Sequence, residues 1–370
     1  MFRIEMLPAG HGDSLLVTYG QPDTPNHLLI DGGPYYAFED AKFVERETLA
    51  NRLRGLIAAG EPLELLVITH VDADHIEGAV KLLASRTPDL PIQDVWFNGW
   101  RHLLSQRPSV LGPVQGEMLS ALIQDQGLAW NGAFEGAAVA VTPEEPLPQV
   151  TLPGGMCLTL LSPTPAKLET LANVWAQVLR REGLDPDLPD EALERLKKSK
   201  RLRPVVLAAE ELNIAELAEE PFEGDDSEAN GSSIAFIAEY DGKRCLFAGD
   251  AHPSVLESSV RQLLAEQGES RLPLDAFKIP HHGSKSNLSP ELLGLLACPN
   301  YLVSTDGNYF DHPDSEAMAR IVVHGGEQPV LHFNYRSEES TRWDDASLKA
   351  EFGFETVYPQ QEGQGLTLDL

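Results

Sequence analysis

The chain has 370 residues, with 57 Asp and Glu against 28 Lys and Arg and a formal net charge of −29. Acidity this strong argues against polyanion binding over the whole surface, although a metal site can invert the field locally. Apolar residues make up 42 % of the chain, enough for a sizeable core, and no run approaches the 18 apolar residues of a membrane span. The length fits two domains, or one large domain carrying insertions.

In chain order, Met1–Met6 alternates apolar and polar residues like a strand and lacks the apolar h-region of a signal peptide, so a soluble cytoplasmic protein with no membrane partner is expected. Ser14–Tyr19 and His27–Ile30 continue an antiparallel meander across Gly20 and a Pro-rich turn. Phe38–Ala59 carries a helical period through Phe43, Leu49, Leu53, Leu56 and Ile57, stopped by Gly60 and Pro62. Leu63–Ile68 reads as a buried strand and Ile76–Leu83 as a helix, which puts His70–His75 on a strand-to-helix turn.

The middle of the chain differs in composition. It is rich in Pro and Gly up to Pro165 and continues with an amphipathic helix through Leu168, Leu171, Trp175, Val178 and Leu179. A basic cluster follows (Arg195, Lys197, Lys198, Lys200, Arg201, Arg203), then an acidic run from Glu210 to Glu228. Residues 101–228 are therefore expected to form a largely helical insertion that partly covers the site as a lid, with 1–100 and 229–370 forming the core.

Beyond it, Ile234–Tyr240 and Lys243–Ala248 flank Asp241-Gly242 as a hairpin. Helices are expected at Pro253–Glu266, Pro290–Leu296 and Ser315–Val323, and strands at Asp275–Ile279 and Tyr301–Ser304. Helices following strands, with hairpins also present, fit an α+β mixed-sheet sandwich flanked by helices. Cys157, Cys245 and Cys298 are odd in number and lack CxxC spacing, which excludes a disulfide framework and a thiolate zinc knuckle.

Five segments place polar groups at strand ends. The richest is Thr69-His70-Val71-Asp72-Ala73-Asp74-His75, with four potential ligands in six residues; imidazole with carboxylate suits Zn²⁺ or Mn²⁺. The others are Gly249-Asp250, Pro280-His281-His282-Gly283-Ser284, Asp31-Gly32-Gly33 and Gly10-His11-Gly12-Asp13-Ser14. Polar groups gathered from scattered segments onto strand ends are how one site is assembled on a rigid sheet.

With Asn230–Ser233 and Asp311-His312-Pro313, these motifs resemble the metallo-β-lactamase fold superfamily, and within it the metallo-hydrolase domain of ComEC/Rec2 DNA-uptake proteins. The resemblance covers roughly residues 1–100 and 229–335. It implies a four-layer αββα sandwich with a largely helical insertion and two divalent metal ions, Zn or Mn. On it, His70 and Asp72 hold the first ion, Asp74 and His75 the second, Asp250 bridges both, His282 is a further ligand and His281 lines the site. Two departures from the superfamily pattern are Asp72 where most members have His, and Asn230 and Ser233 in place of a separate third-motif His. Both weaken the first position, where the ion is expected to be either loosely held or Mn²⁺ instead of Zn²⁺.

The implied chemistry is metal-dependent hydrolysis by a hydroxide activated between two ions about 3.5–4 Å apart. Asp74 would orient that hydroxide or take its proton, and His281 or His312 would protonate the leaving group. Asp13 and Asp31 would orient ligands from behind, Asn230 and Ser233 would support ligands or substrate, and Lys285 would contact a phosphate. A phosphodiesterase or nuclease acting on a phosphate-containing substrate, a nucleotide or nucleic acid among them, is the leading expectation. The alternatives are a lactone, ester or thioester hydrolase on the same fold, or a binding or regulatory protein with weak catalysis. The sequence leaves the oligomeric state open.

Overall fold

The computed structural model describes residues 1–39, 47–85, 90–103, 114–182 and 212–370. Two mixed sheets lie face to face. The first is ordered Leu366–Asp369, Phe2–Met6, Leu15–Gln21, Thr24–Ile30, Leu65–Val67, Val95–Trp96. Its first four strands are antiparallel, and the last two join Thr24–Ile30 in parallel. The second is ordered Glu355–Val357, Val330–Phe333, Asn300–Val303, Ala276–Lys278, Lys243–Phe247, Ala235–Tyr240, Cys157–Ser162, Gln149–Thr151. Its first five strands are parallel and the remainder antiparallel.

Side chains alternate across a strand, so one strand can serve two cores. In Leu15–Gln21, Leu15, Val17 and Tyr19 share a core with Phe236, Leu246, Phe277 and Leu302 of the second sheet. Leu16 between them joins Leu29, Leu66 and Ile68 against helical residues Leu53, Leu56, Ile76, Ala79 and Leu83. Burial on both faces explains why Leu63–Ile68 reads as a continuous apolar run. Helices Pro253–Gln267, Pro290–Gly294 and Ser315–His324 pack Leu256, Val260, Leu292, Met318 and Ile321 onto the second sheet. The result is the expected αββα sandwich.

Several expected bounds differ. Helix covers Tyr35–Phe38 and Leu49–Ala59 instead of all of 38–59; Thr48 caps the second and left-handed Gly60 ends it, while Phe43 lies outside the described residues. The helix expected from Ile76 begins at Ala73, so Asp74 and His75 occupy its first turn. Pro290–Gly294 ends before Leu296, which starts a short strand paired with Leu272–Pro273.

The segment 101–228, expected to be largely helical, also contributes strands to the second sheet. Gln149–Thr151 and Cys157–Ser162 belong to the second sheet, where Leu158 and Leu160 alternate into the core. Among its helices, Pro165–Glu182 buries Leu168, Leu171 and Trp175 in the layer beneath the first sheet. The basic cluster from Arg195 to Arg203 lies outside the described residues.

One close approach locks the helix Ala73–Ala84 to the first sheet. Gly32 N donates to His75 O and Gly78 N to Gly33 O, each at 2.8 Å. A Cβ on Gly78 would sit 1.9 Å from Gly32 O, whereas one on Gly55 meets nothing nearer than 3.9 Å. Gly78→Ala should therefore cost about 1–3 kcal/mol through overpacking. Gly55→Ala, in an exposed helix interior, should be neutral or stabilising by about 0.4–1 kcal/mol. Thermal melts of the two variants check this; equal melting temperatures would contradict the close-approach account.

Candidate metal centre

The carboxyl ends of the parallel strands of both sheets meet at one edge, the place where open sheets bind ligands. Asp31 follows Thr24–Ile30, and Thr69 and His70 follow Leu65–Val67. Asp250 follows Lys243–Phe247 through Gly249 (φ 52°), His281 and His282 follow Ala276–Lys278, and Ser304 follows Asn300–Val303. The helix beginning at Ala73 adds Asp74 and His75, with Asp72 at its N-cap position making no capping bond. His281 and His282 are both left-handed, at φ 48° and 54°, a conformation that costs a non-glycine residue energy and concentrates at functional sites.

Each imidazole is oriented through Nδ1. His75 Nδ1 lies 2.8 Å from Asp31 Oδ2, and since a carboxylate only accepts, Nδ1 carries the proton. Asp31 also accepts from Thr69 N and Oγ1 at 2.8 and 2.7 Å. With its proton given to Asp31, the Thr69 hydroxyl accepts from His70 Nδ1 at 3.0 Å. His282 Nδ1 donates to Ser304 O at 2.9 Å. The three Nε2 atoms are thereby left to present lone pairs inward.

Those lone pairs converge on carboxylates and on each other. His75 Nε2 is 3.2 Å from His282 Nε2 and 3.4 Å from Asp250 Oδ2. His282 Nε2 is 3.3 Å from Asp74 Oδ2, and His70 Nε2 is 3.6 Å from Asp72 Oδ2 and 3.7 Å from Asp250 Oδ2. Among the described residues, buried His70 Nε2 and Asp250 Oδ1 have no hydrogen-bond partner. The ligand atoms of His70, His75 and Asp250 lie within 4.8 Å of one another, as do those of Asp74, His75 and His282. Lone pairs this close repel unless a cation sits among them, and ligands on one ion at about 2.0–2.2 Å are spaced in this way. The residues fit divalent metal.

The remaining expected residues divide. His281 is at the rim: Nδ1 is 2.8 Å from Asn287 Oδ1, Nε2 is 3.9 Å from Asp250 Oδ2, and the ring meets His312 edge-on at 5.4 Å. Asn287 is held in that orientation by donating Nδ2 to Asp225 Oδ2 and Asp250 O. Ser233 Oγ accepts from Asp250 N at 3.2 Å, and Asn230 Nδ2 donates to Asp225 Oδ2 at 2.7 Å. Asp13 Oδ2 pairs with buried Lys278 Nζ at 2.7 Å, while its Oδ1 lies 3.5 Å from His282 Nδ1. Lys285, expected to touch phosphate, instead has its half-exposed ammonium on Glu316 at 2.7 Å.

Sequence reasoning missed Lys278, Asp225, Asn287, Thr69 and Ser304. A lone Lys within the apolar run of the expected strand Asp275–Ile279 is a readable signal, because buried Lys needs a partner. Asp225 is masked by the acidic run around it.

Burial alone would lower the His282 pKa, but Asp13, Asp250 and Asp74 outweigh it and push it up to about 10. His75 is driven the same way, burial being overcome by Asp250, Asp74 and Asp31. Burial would raise Asp250, yet His75, His281 and His282 hold it well below the usual carboxylate range. Asp74 is likewise held low against burial by His75 and His282. Without metal, then, these surroundings favour a protonated imidazole and charged carboxylates in the cluster.

No family model and no curated protein matches the chain. Among solved structures it is similar to CmlA, a diiron β-hydroxylase from Streptomyces venezuelae, and to a mutant of that enzyme. Each shows 12 % identity and a TM-score of 0.42, with 100 % of this chain aligned to 54 % of theirs. The chain thus spans about half the length of those proteins.

Metal must displace the proton that His75 Nε2 and His282 Nε2, 3.2 Å apart, can share, so apparent affinity should fall as pH falls from 8 to 6, with about one proton released per loaded protein. Calorimetry in buffers of different ionisation enthalpy reads that number, and release of none would refute the ligand assignment. Asp31→Asn turns one accepting oxygen into a donor facing Thr69 or His75. Metal affinity should drop about 10–100-fold with the melting profile largely kept, which competition with a chromophoric chelator measures.

Proposed function

We infer that the chain is a hydrolase using two divalent metal ions, Zn or Mn, and that its substrates are phosphodiesters. The observation that supports this most directly is the convergence of His70, His75, His282, Asp74 and Asp250, with unpartnered ligand atoms on His70 and Asp250. His70, Asp72 and Asp250 would hold one ion, and Asp74, His75 and His282 the other, with Asp250 reaching both. Such a pair supplies Lewis acidity that lowers the pKa of water and neutralises charge on phosphate oxygens.

The chain's own groups account for the proton movements. Water adds to phosphorus and gives up a proton, for which Asp74, with its side chain 14 % exposed, offers Oδ2 as the accepting atom. The P–O ester bond then breaks, and the departing alkoxide needs a proton. His281 is placed to donate one from Nε2, since its Nδ1 is fixed on Asn287 Oδ1 and its Nε2 lies 3.9 Å from Asp250 Oδ2 at the edge of the centre. His312, edge-on to it, is the second source.

Asp74→Asn should lower turnover of bis(p-nitrophenyl) phosphate by at least about 10²–10⁴-fold, with an unchanged circular dichroism spectrum. His281→Ala should lose less. Wild-type metal-loaded protein that cleaves lactones or thioesters but no phosphodiester would leave the centre standing and overturn the substrate class. Wild-type turnover by Asp74→Asn would remove the mechanism.

A further inference from the structure

A line of aromatic rings runs outward from the centre. His281, which borders Asp250, meets the His312 ring at 5.4 Å; His312 meets Phe310 at 5.9 Å; Phe310 meets Tyr309 at 4.4 Å. Tyr309 stacks on His11 at 4.7 Å with 18° between the planes, and His11 Nδ1 lies 2.9 Å from Tyr36 Oη. The inner members are substantially buried, whereas Tyr36, Tyr309 and Phe310 are 48, 48 and 51 % exposed. They account for three of the seven large hydrophobic side chains exposed among the described residues. Tyr36 lies so close over Gly10 that a Cβ there would sit 2.4 Å from its hydroxyl, so glycine is needed for the ring to lie down on this loop. Gly10 and Tyr36 also border a cavity of about 420 Å³ that reaches Asn308 and Arg336.

Exposed rings cost solvation free energy unless something covers them, and clustered exposed apolar groups mark binding sites. Here the occupant is constrained from both ends. The inner end is the centre, where cations would attract an anionic group. The outer end is aromatic, with Tyr309 and Phe310 set edge to face at 80°, so that a planar ring can lie on the face of one against the edge of the other, and among the described residues no cation stands between these rings. A net charge of −29 opposes a long polyanion lying across this face. We propose that Tyr36, Tyr309 and Phe310 form the specificity subsite of this centre and take a planar aromatic ring carried by a small phosphate ester. This rests on the phosphodiesterase reading, which it deepens by naming the group attached to the phosphate.

The test compares two ligands that share a phosphate and differ by the ring, phenyl phosphate and methyl phosphate, titrated calorimetrically into Mn²⁺-loaded protein. Ring stacking should make phenyl phosphate bind at least about fivefold tighter, and Tyr309→Ala with Phe310→Ala should abolish that preference. Tyr309→Phe, which keeps the ring, should retain it, separating stacking from any loss of fold. Equal affinities in the wild type, or a preference that survives the double alanine variant, would overturn the subsite and leave the phosphodiesterase reading in place. Failure of both phosphates to bind the loaded protein would overturn the subsite, whereas the phosphodiesterase reading falls only if the loaded protein also leaves bis(p-nitrophenyl) phosphate uncleaved.

Discussion

Like groups are forced together at the edge of this sandwich, and much of the surrounding structure serves to keep them there. Imidazole lone pairs of His70, His75 and His282 face the carboxylates of Asp72, Asp74 and Asp250 at 3.3–3.7 Å, with most of these groups buried. Burying charge without a partner costs several kcal/mol, so this geometry persists only if positive charge enters it as protons or as metal. The supports behind it are built for rigidity. Asp31 takes three hydrogen bonds, from Thr69 twice and His75 once, and Lys278 neutralises Asp13 in a pair with neither side chain more than 2 % exposed. These groups are not interchangeable with water, because none of them reaches it.

The same constraint explains the backbone. Two consecutive histidines in the left-handed region, at φ 48° and 54°, bend the chain sharply after Ala276–Lys278. That bend sends His281 and His282 in different directions: His282 faces inward onto Ser304 O, and His281 sits at the rim against Asn287. Gly249 adopts φ 52° within 3.0 Å of where a Cβ would meet Thr69, bringing Asp250 against the first sheet. The approach of Gly32 to Gly78 fixes the helix that carries Asp74 and His75. At His281 and His282 the left-handed conformation is held by the hydrogen bonds to Asn287 and Ser304 O.

The inner strands were legible because burial on both faces writes them as short apolar runs, as in Leu28–Ile30 and Leu65–Ile68. The ligand candidates were legible because two His and two Asp within six residues have few other uses. What escaped was of two kinds. Leu366–Asp369 completes the first sheet beside Phe2–Met6, but its four residues are half-exposed and its pairing spans the whole chain, so no local pattern announces it. The supporting groups Thr69, Ser304 and Asn287 are small polar residues whose meaning lies in what they face. Strands inside 101–228, expected as a largely helical insertion, escaped for a related reason. Cys157–Ser162 is a core strand surrounded by Pro- and Gly-rich sequence, and composition averaged over the segment hid it.

Charge and shape together limit what the proposed centre could accept. At physiological salt, fields decay over about 8 Å, so cations at the centre would be felt only near its mouth, while a substrate strand extending further would meet a molecule of net charge −29. A phosphate group needs to enter only that short range, and a ring attached to it would find Tyr309 and Phe310 a few ring contacts away from His281. Long polyanions gain the same local attraction but accumulate repulsion with every further phosphate. In the proposed reading, selection by size therefore comes from the whole surface, and selection by chemistry comes from the edge where the two sheets meet.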